Sequence, residues 1–382
     1  MSRFPLQSIR QRPRAITPKD ADIADVRAAF SRYRSEILTR DGARGFIRAR
    51  RPDTPDGVAH STVSEGIAYG MIIAVYMDEQ ALFDDLFQYS QCFLNENGLM
   101  DWYISPDGEK RLGVGGASDS DEDIAFALIM ADRAWGGRGC LTGSYLTLAR
   151  QQIARLWEFE VDHDQYPFMF LPGDDWRGKN VFNPSYFAPH QYRLFGEVSG
   201  NVRGWEQVID RGYEILERCQ MGSEEEKNGL VPAWCDWDGK PVEAFPGAMM
   251  NHQYDSARTP FRIAQDYIEN GDERALRYLK RISRFYASVG AEQIVDGYEL
   301  DGTPAPDPNA KRPNPGSAVF VGPAAVAASH DPAYQDFVDA CYRRIRKGDL
   351  LARSRYYNHS WTVMSLLMLT GNFWNFPARP TD

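Results

Sequence analysis

EGIAYGMIIAVYM, Glu65 to Met77, carries apolar side chains on nearly every side when wound at about 3.6 residues per turn. A helix without a polar face has to be enclosed by other elements, and Ser360 to Leu369 reads the same way. Ala21 to Leu38 and Pro332 to Lys347 instead carry one charged face and one apolar face, the pattern of helices that pack with one side toward water. Two kinds of helix call for two layers, an inner buried ring and an outer amphipathic one. The same periodicity places further helices at about Ala81–Leu94, Asp123–Ala134, Tyr145–Glu158, Tyr186–Phe195, Trp205–Cys219, Pro260–Ile268, Glu273–Val289 and Ala318–Ala328. About twelve helices make six hairpins, so the expected fold is all-α, an (α/α)6 barrel. Strand-like alternation is confined to short pieces such as Ile294 to Leu300, which reads as a hairpin arm. No fixed-period repeat and no linker composition interrupts the chain, and residues 1–382 are expected to form a single barrel domain.

The composition is that of a globular protein, with 25% charged and 43% hydrophobic residues, and an aromatic fraction of 13% on the high side. A net charge of −10 argues against nucleic acid or an anionic membrane surface as partner, since both are held through clustered Lys and Arg. The basic run Arg48 to Arg51 is short and reads as a solvated loop. The five cysteines, Cys92, Cys140, Cys219, Cys235 and Cys341, have no CxxC spacing and no accompanying His cluster, so they read as buried thiols rather than a zinc site or disulfide framework. The first residues, MSRFPLQSIRQRPR, contain no apolar export segment, and no apolar run approaches the length of a membrane span.

The long segments between helices are Leu99–Gly116, Asp162–Pro184, Met221–Met250 and Asp296–Gly316. They hold Trp102, Tyr103, Trp176, Phe182, Trp234 and Trp237, which is poor composition for disorder. Either these aromatics line a cleft at one end of the barrel, where flat rings would stack on sugar faces, or they pack the loops onto the helices.

Three acidic segments carry the candidate chemistry. In Ser61–Met71, Glu65 falls on the first turn of the most apolar helix, where Thr62 to Glu65 also fits a capping box. Gly66 and Gly70 bare one edge of that helix for the close approach of a ligand or backbone. In GGASDSDEDIA, Gly115 to Ala125, a calcium loop is ruled out because Ile124 and Met130 occupy the positions that need Gly and Glu. Ser120 with Asp123 could cap the helix that follows, which makes at least two of the four carboxylates structural. In HQYDSARTPFR, His252 to Arg262, Asp255 lies in the loop before a helix opened by Pro260, with Arg258 near enough to hold it ionised. Inverting hydrolysis of a glycoside needs one protonated and one ionised carboxyl about 6.5–9.5 Å apart, and neither metal nor cofactor.

These segments resemble glycoside hydrolase family 8, the inverting (α/α)6-barrel enzymes that act on β-1,4-linked glucan, xylan or chitosan. The resemblance rests on SEGIAYGM (Ser64–Met71), ASDSDEDIAFAL (Ala117–Leu128), NPSYFAP (Asn183–Pro189), YDSARTPFR (Tyr254–Arg262), and RYYNHS with LTGNF (Arg355–Ser360, Leu369–Phe373). It implies Glu65 as general acid, Asp255 as general base, as in the subgroup with its base in a YDxxR segment, and Asp119 as the residue that binds and distorts the sugar at the cleavage point. It further implies that Tyr186 holds the attacking water, that Arg258 stands beside the base, and that Trp102 and Tyr357 touch sugar. The family's SEGQGYGM and SEGQSYGM forms carry Gln where Ile67 stands here. SDSDEDIA, rather than the PDGEEYFA seen in xylan-acting members, together with YDSAR, ranks cellulose or mixed-linkage β-glucan first, xylan second and chitosan third. The expected partner is a poly- or oligosaccharide, met by a monomer in a secreted or periplasmic setting. Two other classes stay open at this point. One is a glycan-binding toroid without activity; the other is a toroid doing lyase or epimerase chemistry with a His base such as His252 or His359.

Overall fold

The computed structural model describes residues 3–53, 57–307, 313–351 and 355–379. Among them are twelve α-helices: α1 (Ile23–Ile37), α2 (Ser64–Tyr76), α3 (Gln80–Gln91), α4 (Ser118–Ala134), α5 (Tyr145–Arg155), α6 (Pro189–Ser199), α7 (Val202–Arg218), α8 (Thr259–Asn270), α9 (Glu273–Val289), α10 (Ala318–Ala328), α11 (Gln335–Ile345) and α12 (Arg355–Leu369). Each helix expected from periodicity is present, with α9 and α10 ending on the expected residues.

The even-numbered helices form a closed inner ring. α2 packs on α4, α4 on α6, α6 on α8, α8 on α10, α10 on α12, and α12 returns to α2. Outside them α3 covers α2, α5 covers α4, α7 covers α6, α9 covers α8, α11 covers α10 and α1 covers α12. The sequence classes explain this partition. Every residue of α10 is buried, and so is every residue of α2 except Glu65. On α9 burial falls instead on one stripe, Ala275, Tyr278, Leu279, Arg281, Ile282, Ser283 and Tyr286. This is the (α/α)6 barrel, and its inner helices run parallel because an antiparallel outer helix intervenes between each pair. Their N-terminal ends therefore share one face.

β-structure is minor: β1 (Leu38–Thr39) pairs with β2 (Arg48–Ala49), and β3 (Thr62–Val63), β4 (Tyr103–Ile104) and β5 (Arg111–Gly113) form a three-stranded antiparallel patch on that face. The expected hairpin arm at Ile294–Leu300 is not a strand; it makes single bridges at Val295 with Pro315 and at Tyr298 with His252 and Pro304. The expected buried thiols divide, since Cys219, Cys235 and Cys341 are buried whereas Cys140 is exposed and Cys92 half-buried.

Two local departures come from tertiary pairing. α4 starts at Ser118 rather than at Asp123, so the acidic run lies inside the helix. Its N-cap is Ala117 without a side-chain cap, and Ser120 Oγ donates to the Ala117 carbonyl and lies 2.7 Å from Ser64 Oγ rather than capping with Asp123. Partners on neighbouring helices make this burial possible. Arg262 of α8 donates from both terminal nitrogens to Asp123 at 2.9 and 3.0 Å and lies 3.2 Å from Glu122. Gln191 and Tyr192 of α6 satisfy the same two carboxyls. At the end of α5 the chain widens into one π-turn, Leu156–Glu160, which turns Glu160 inward beneath Gly116.

Breaking a buried pair by deleting one partner strands a charge. Arg262→Leu is therefore expected to lower unfolding stability by about 3–5 kcal/mol, with Arg262→Lys recovering part of it because a point charge restores the cation without the fork. Urea unfolding monitored by circular dichroism measures both, and a loss under about 1 kcal/mol for Arg262→Leu would contradict this account of α4.

Candidate active site

The four acidic or basic residues singled out from sequence meet at the N-terminal face of the inner ring. α2 begins directly after β3, with Val63 as N-cap and no side-chain cap. Thr62 is not a capping residue, for its hydroxyl accepts from Arg48 and donates to the Ala49 carbonyl, both at 2.8 Å. Glu65 is thus released from the helix end. Its Oε2 accepts from Arg258 Nη1 at 3.0 Å and its Oε1 from the Tyr356 hydroxyl at 3.0 Å.

Arg258 is fully buried and is the hub of the site. Nη1 also donates to Asp119 Oδ2 at 2.5 Å and to the Tyr69 hydroxyl at 3.1 Å, Nε donates to Ser185 Oγ at 3.1 Å, and Nη2 lies 3.5 Å from Asp255 Oδ1. Asp255 sits in the short 3-10 segment Tyr254–Arg258 just before α8. The residue before it, Tyr254, is held at φ +42, a conformation L-residues avoid, and its hydroxyl donates to Asp307 at 2.9 Å. Asn183 donates to Asp255 Oδ2 at 3.2 Å while its own Oδ1 accepts from Ser185, so the loop before α6 clasps Asp255 from the other side.

One guanidinium therefore touches both Glu65 and Asp255. With its terminal nitrogens ~2.3 Å apart in a rigid planar fork, the hydrogen bond of 3.0 Å and the ion-pair contact of 3.5 Å hold the two facing carboxylate oxygens within roughly 9 Å. The side chains of Glu65 and Asp255 are 17% and 34% exposed, so both reach solvent, whereas that of Asp119, at 3%, is nearly sealed behind Arg258.

Electrostatics separates the two exposed carboxyls. Burial raises Glu65 to about 8; Arg258 opposes that, Asp119 and Asp255 add to it as like charges, and the Tyr356 hydrogen bond lowers it. Asp255 is also raised by burial, against the pull of Arg258 and Asn183. The helix end at α2, which favours a carboxylate, is outweighed by desolvation.

Around this centre, the Tyr186 ring lies 5.0 Å from the Arg258 guanidinium and edge-on to Trp234 at 5.9 Å. Trp102, 41% exposed, is locked beside α2 because Ser64 donates to its carbonyl and its ring stacks on Tyr103 at 5.0 Å. Tyr357 is buried, and its hydroxyl reaches the Tyr254 carbonyl at 3.5 Å. The six loop aromatics divide between the two readings: Phe182 and Trp234 are packed away, Trp102 is open. Gly66 and Gly70 do not face open space. Gly66 is in ordinary contact with Ala49 and the Tyr356 ring, and Gly70 lies tight against Leu86 and Tyr33. Ile67 is core.

Tyr356, Tyr69, Asn183 and Ser185 are site residues that the role-by-role sequence reading missed. RYYN and NPSY contain three of them, but nothing local says which tyrosine of Tyr356 and Tyr357 turns inward. His252 is a core residue, its ring held by the Val231 carbonyl and the Tyr286 hydroxyl and its pKa lowered by burial to about 4; His359 is buried beside Glu36. Neither is in contact with the three carboxylates. Among the described residues no group of three or more His, Cys, Asp or Glu side chains is disposed to hold a metal.

A raised carboxyl stabilises the fold in its protonated state. The contribution of Glu65 is complete below its unfolded value of 4.5 and is lost as pH rises through about 8. Glu65→Gln, which cannot ionise, is therefore expected to unfold at a higher temperature than the parent at pH 9 and to lose that advantage near pH 5. Differential scanning calorimetry at the two pH values decides, and an equal or lower midpoint at pH 9 would contradict it.

Residues 15–371 match the sequence family described as glycosyl hydrolases family 8. The chain is 38% identical to Endoglucanase A of Acetivibrio thermocellus over 95% of its own length and 72% of the relative's. It is 36% identical to Endoglucanase C of Ruminiclostridium cellulolyticum over 92% of its length and 72% of the relative's. The solved structure of a β-1,3-1,4-glucanase from Paenibacillus sp. X4 superposes with a TM-score of 0.85, covering 98% of this chain and 99% of that one at 27% identity.

Proposed function

The chain belongs to glycosyl hydrolases family 8 and is an inverting glycoside hydrolase, and we propose from that premise that Glu65 is its general acid and Asp255 its general base on a β-1,4-linked glucan. The observation that carries the reading is a single buried arginine fork joining a carboxyl raised to about 8 to a second carboxylate within roughly 9 Å, which overlaps the about 6.5–9.5 Å interval in which an inverting pair accommodates water. Glu65, protonated at neutral pH, gives its proton to the glycosidic oxygen as the bond to C1 breaks. Asp255 takes a proton from a water that attacks C1 from the opposite face, and the anomeric configuration inverts.

Asp119 serves at the cleavage point. Its limited exposure makes its larger effect electrostatic, the like charge that helps keep Glu65 protonated while it neutralises Arg258. Tyr186, beside Arg258 and facing the base, is the residue proposed to position the water; Trp102 offers the open aromatic face for a sugar ring, and Tyr357 contributes through the wall rather than by a broad contact. The names borne by the relatives support endo-action on β-glucan, cellulose or mixed-linkage, ahead of xylan and chitosan. The site side chains described all come from one chain, which supports action as a monomer, and a polymeric substrate supports a reaction outside the cytoplasm. No described helix is long and apolar enough to cross a membrane.

Purified protein is expected to release reducing ends from barley β-glucan and carboxymethylcellulose faster than from xylan or chitosan, with the first product of inverted configuration by proton NMR. No release from any of the four would remove the hydrolase reading; a retained anomer would remove Asp255 as base. Glu65→Gln and Asp255→Asn are each expected to lower kcat at least ~10³-fold while substrate binding persists.

The pH profile of kcat/KM is expected to be bell-shaped. Its alkaline limb follows Glu65 near about 8, and its acid limb follows Asp255 above the ordinary aspartate value. Tyr356→Phe deletes a donor that favours the ionised acid, so it should move the alkaline limb upward by roughly one pH unit. A downward move would show that the tyrosine does not act on Glu65.

A further inference from the structure

Cys219 closes α7. Its backbone N–H donates to the Ile215 carbonyl at 2.9 Å and its thiol to the Leu216 carbonyl at 3.4 Å. The turn Asp236–Lys240 folds back over this helix end: Asp236 donates to the Lys240 carbonyl, Gly239 donates to the Asp236 carbonyl, and a side chain at Gly239 would lie 2.6 Å from the Cys219 nitrogen. Cys235, at the start of that turn, exchanges two backbone hydrogen bonds with Phe182, at 2.7 and 2.9 Å. The turn and the bridge bring the thiols of Cys219 and Cys235 into the same buried spot beneath the end of α7, 2% and 0% exposed.

This pair borders the site. Trp234, next to Cys235, stacks on Trp176 at 5.7 Å and 15° and meets Tyr186 edge-on, and Tyr186 lies against Arg258. Trp234 belongs to a small apolar cluster with Ala233 and Ala248 that is separate from the main core.

We propose that Cys219 and Cys235 are a disulfide-forming pair that fastens the Trp234 wall to the end of α7 when the chain folds in an oxidising compartment; this rests on the reading that the enzyme meets its polymer outside the cytoplasm. The oxidant is a disulfide donor of the glutathione class or a protein disulfide. One thiolate attacks the donor and expels the first donor thiol, and the second thiolate attacks the mixed disulfide and expels the other. Two S–H bonds are lost, one S–S bond forms, and the donor takes up two electrons and two protons. Because both thiols are buried in the folded chain, exchange takes place during folding. Cys92 and Cys140 both meet Gln88 on the outer surface, and Cys341 lies in α11, so none of the three lies beside this pair.

The test is refolding of the full chain in a mixture of reduced and oxidised glutathione, followed by thiol titration in denaturant and peptide mapping. Of the five cysteines, three are expected to remain free, with a peptide linking Cys219 to Cys235. Cys219→Ser and Cys235→Ser should each keep all four of their remaining thiols free. Closing a loop of about 15 residues should raise the thermal midpoint of the oxidised parent by roughly 3–6 °C over its reduced form, a difference absent from both variants. kcat/KM on β-glucan at room temperature should change less than twofold. Five free thiols after oxidative refolding, or a link between Cys92 and Cys140, would overturn the proposal. The thiol count is independent of any activity, so a failed glucan assay and a failed disulfide are separate results.

Discussion

The guanidinium of Arg258 is the interaction on which this site depends. It is fully buried, and it binds side chains from α2, α4, the loop before α6 and its own turn before α8. Taking a cation out of water is costly unless anions of good geometry surround it. Here three carboxyls do so, which overcompensates one positive charge. The surplus is relieved where desolvation is strongest and like charges are nearest, by keeping a proton on Glu65. The same arrangement leaves Asp255, the most exposed of the three, open to solvent beside Arg258. In the proposed mechanism, the contacts that balance charge are the same ones that supply one acid and one base.

The barrel makes that set possible. A closed inner ring of parallel helices gathers N-terminal ends on one face, and Glu65, Asp119, Asp255 and Tyr356 each lie at or just before such an end. Deeper in the ring Arg262 repeats the motif with Asp123 and Glu122, but there every group is sealed and the pairing serves the fold. The difference between the two layers is access to solvent rather than composition.

Much of this was legible in the sequence. Helices with no polar face and helices with one stripe specified the two rings, and all twelve helices follow from the 3.6-residue period. The carboxylates were legible as candidates because acidic residues in first turns beside aromatic loops are unusual in number. What was not legible is contact between distant segments. The Thr62–Glu65 capping box is a sound local reading, yet Glu65 finds its partners in Arg258 and Tyr356, both remote in the chain, and the helix end goes uncapped. The early start of α4 likewise depends on Arg262, Gln191 and Tyr192, none of which is near it in sequence. A short alternating run at Ile294–Leu300 met single bridges instead of a neighbouring strand, and period-2 alternation alone does not supply a partner.

The central claim is that Glu65 keeps its proton at neutral pH because burial and two neighbouring carboxyls outweigh Arg258. Site-specific carbon-13 NMR titration of the Glu65 carboxyl in the substrate-free protein tests it most directly. The account predicts a midpoint near about 8. A midpoint near the ordinary glutamate value of 4.5 would mean that Arg258 dominates, that Glu65 is ionised at neutral pH, and that the proton donor must be sought elsewhere.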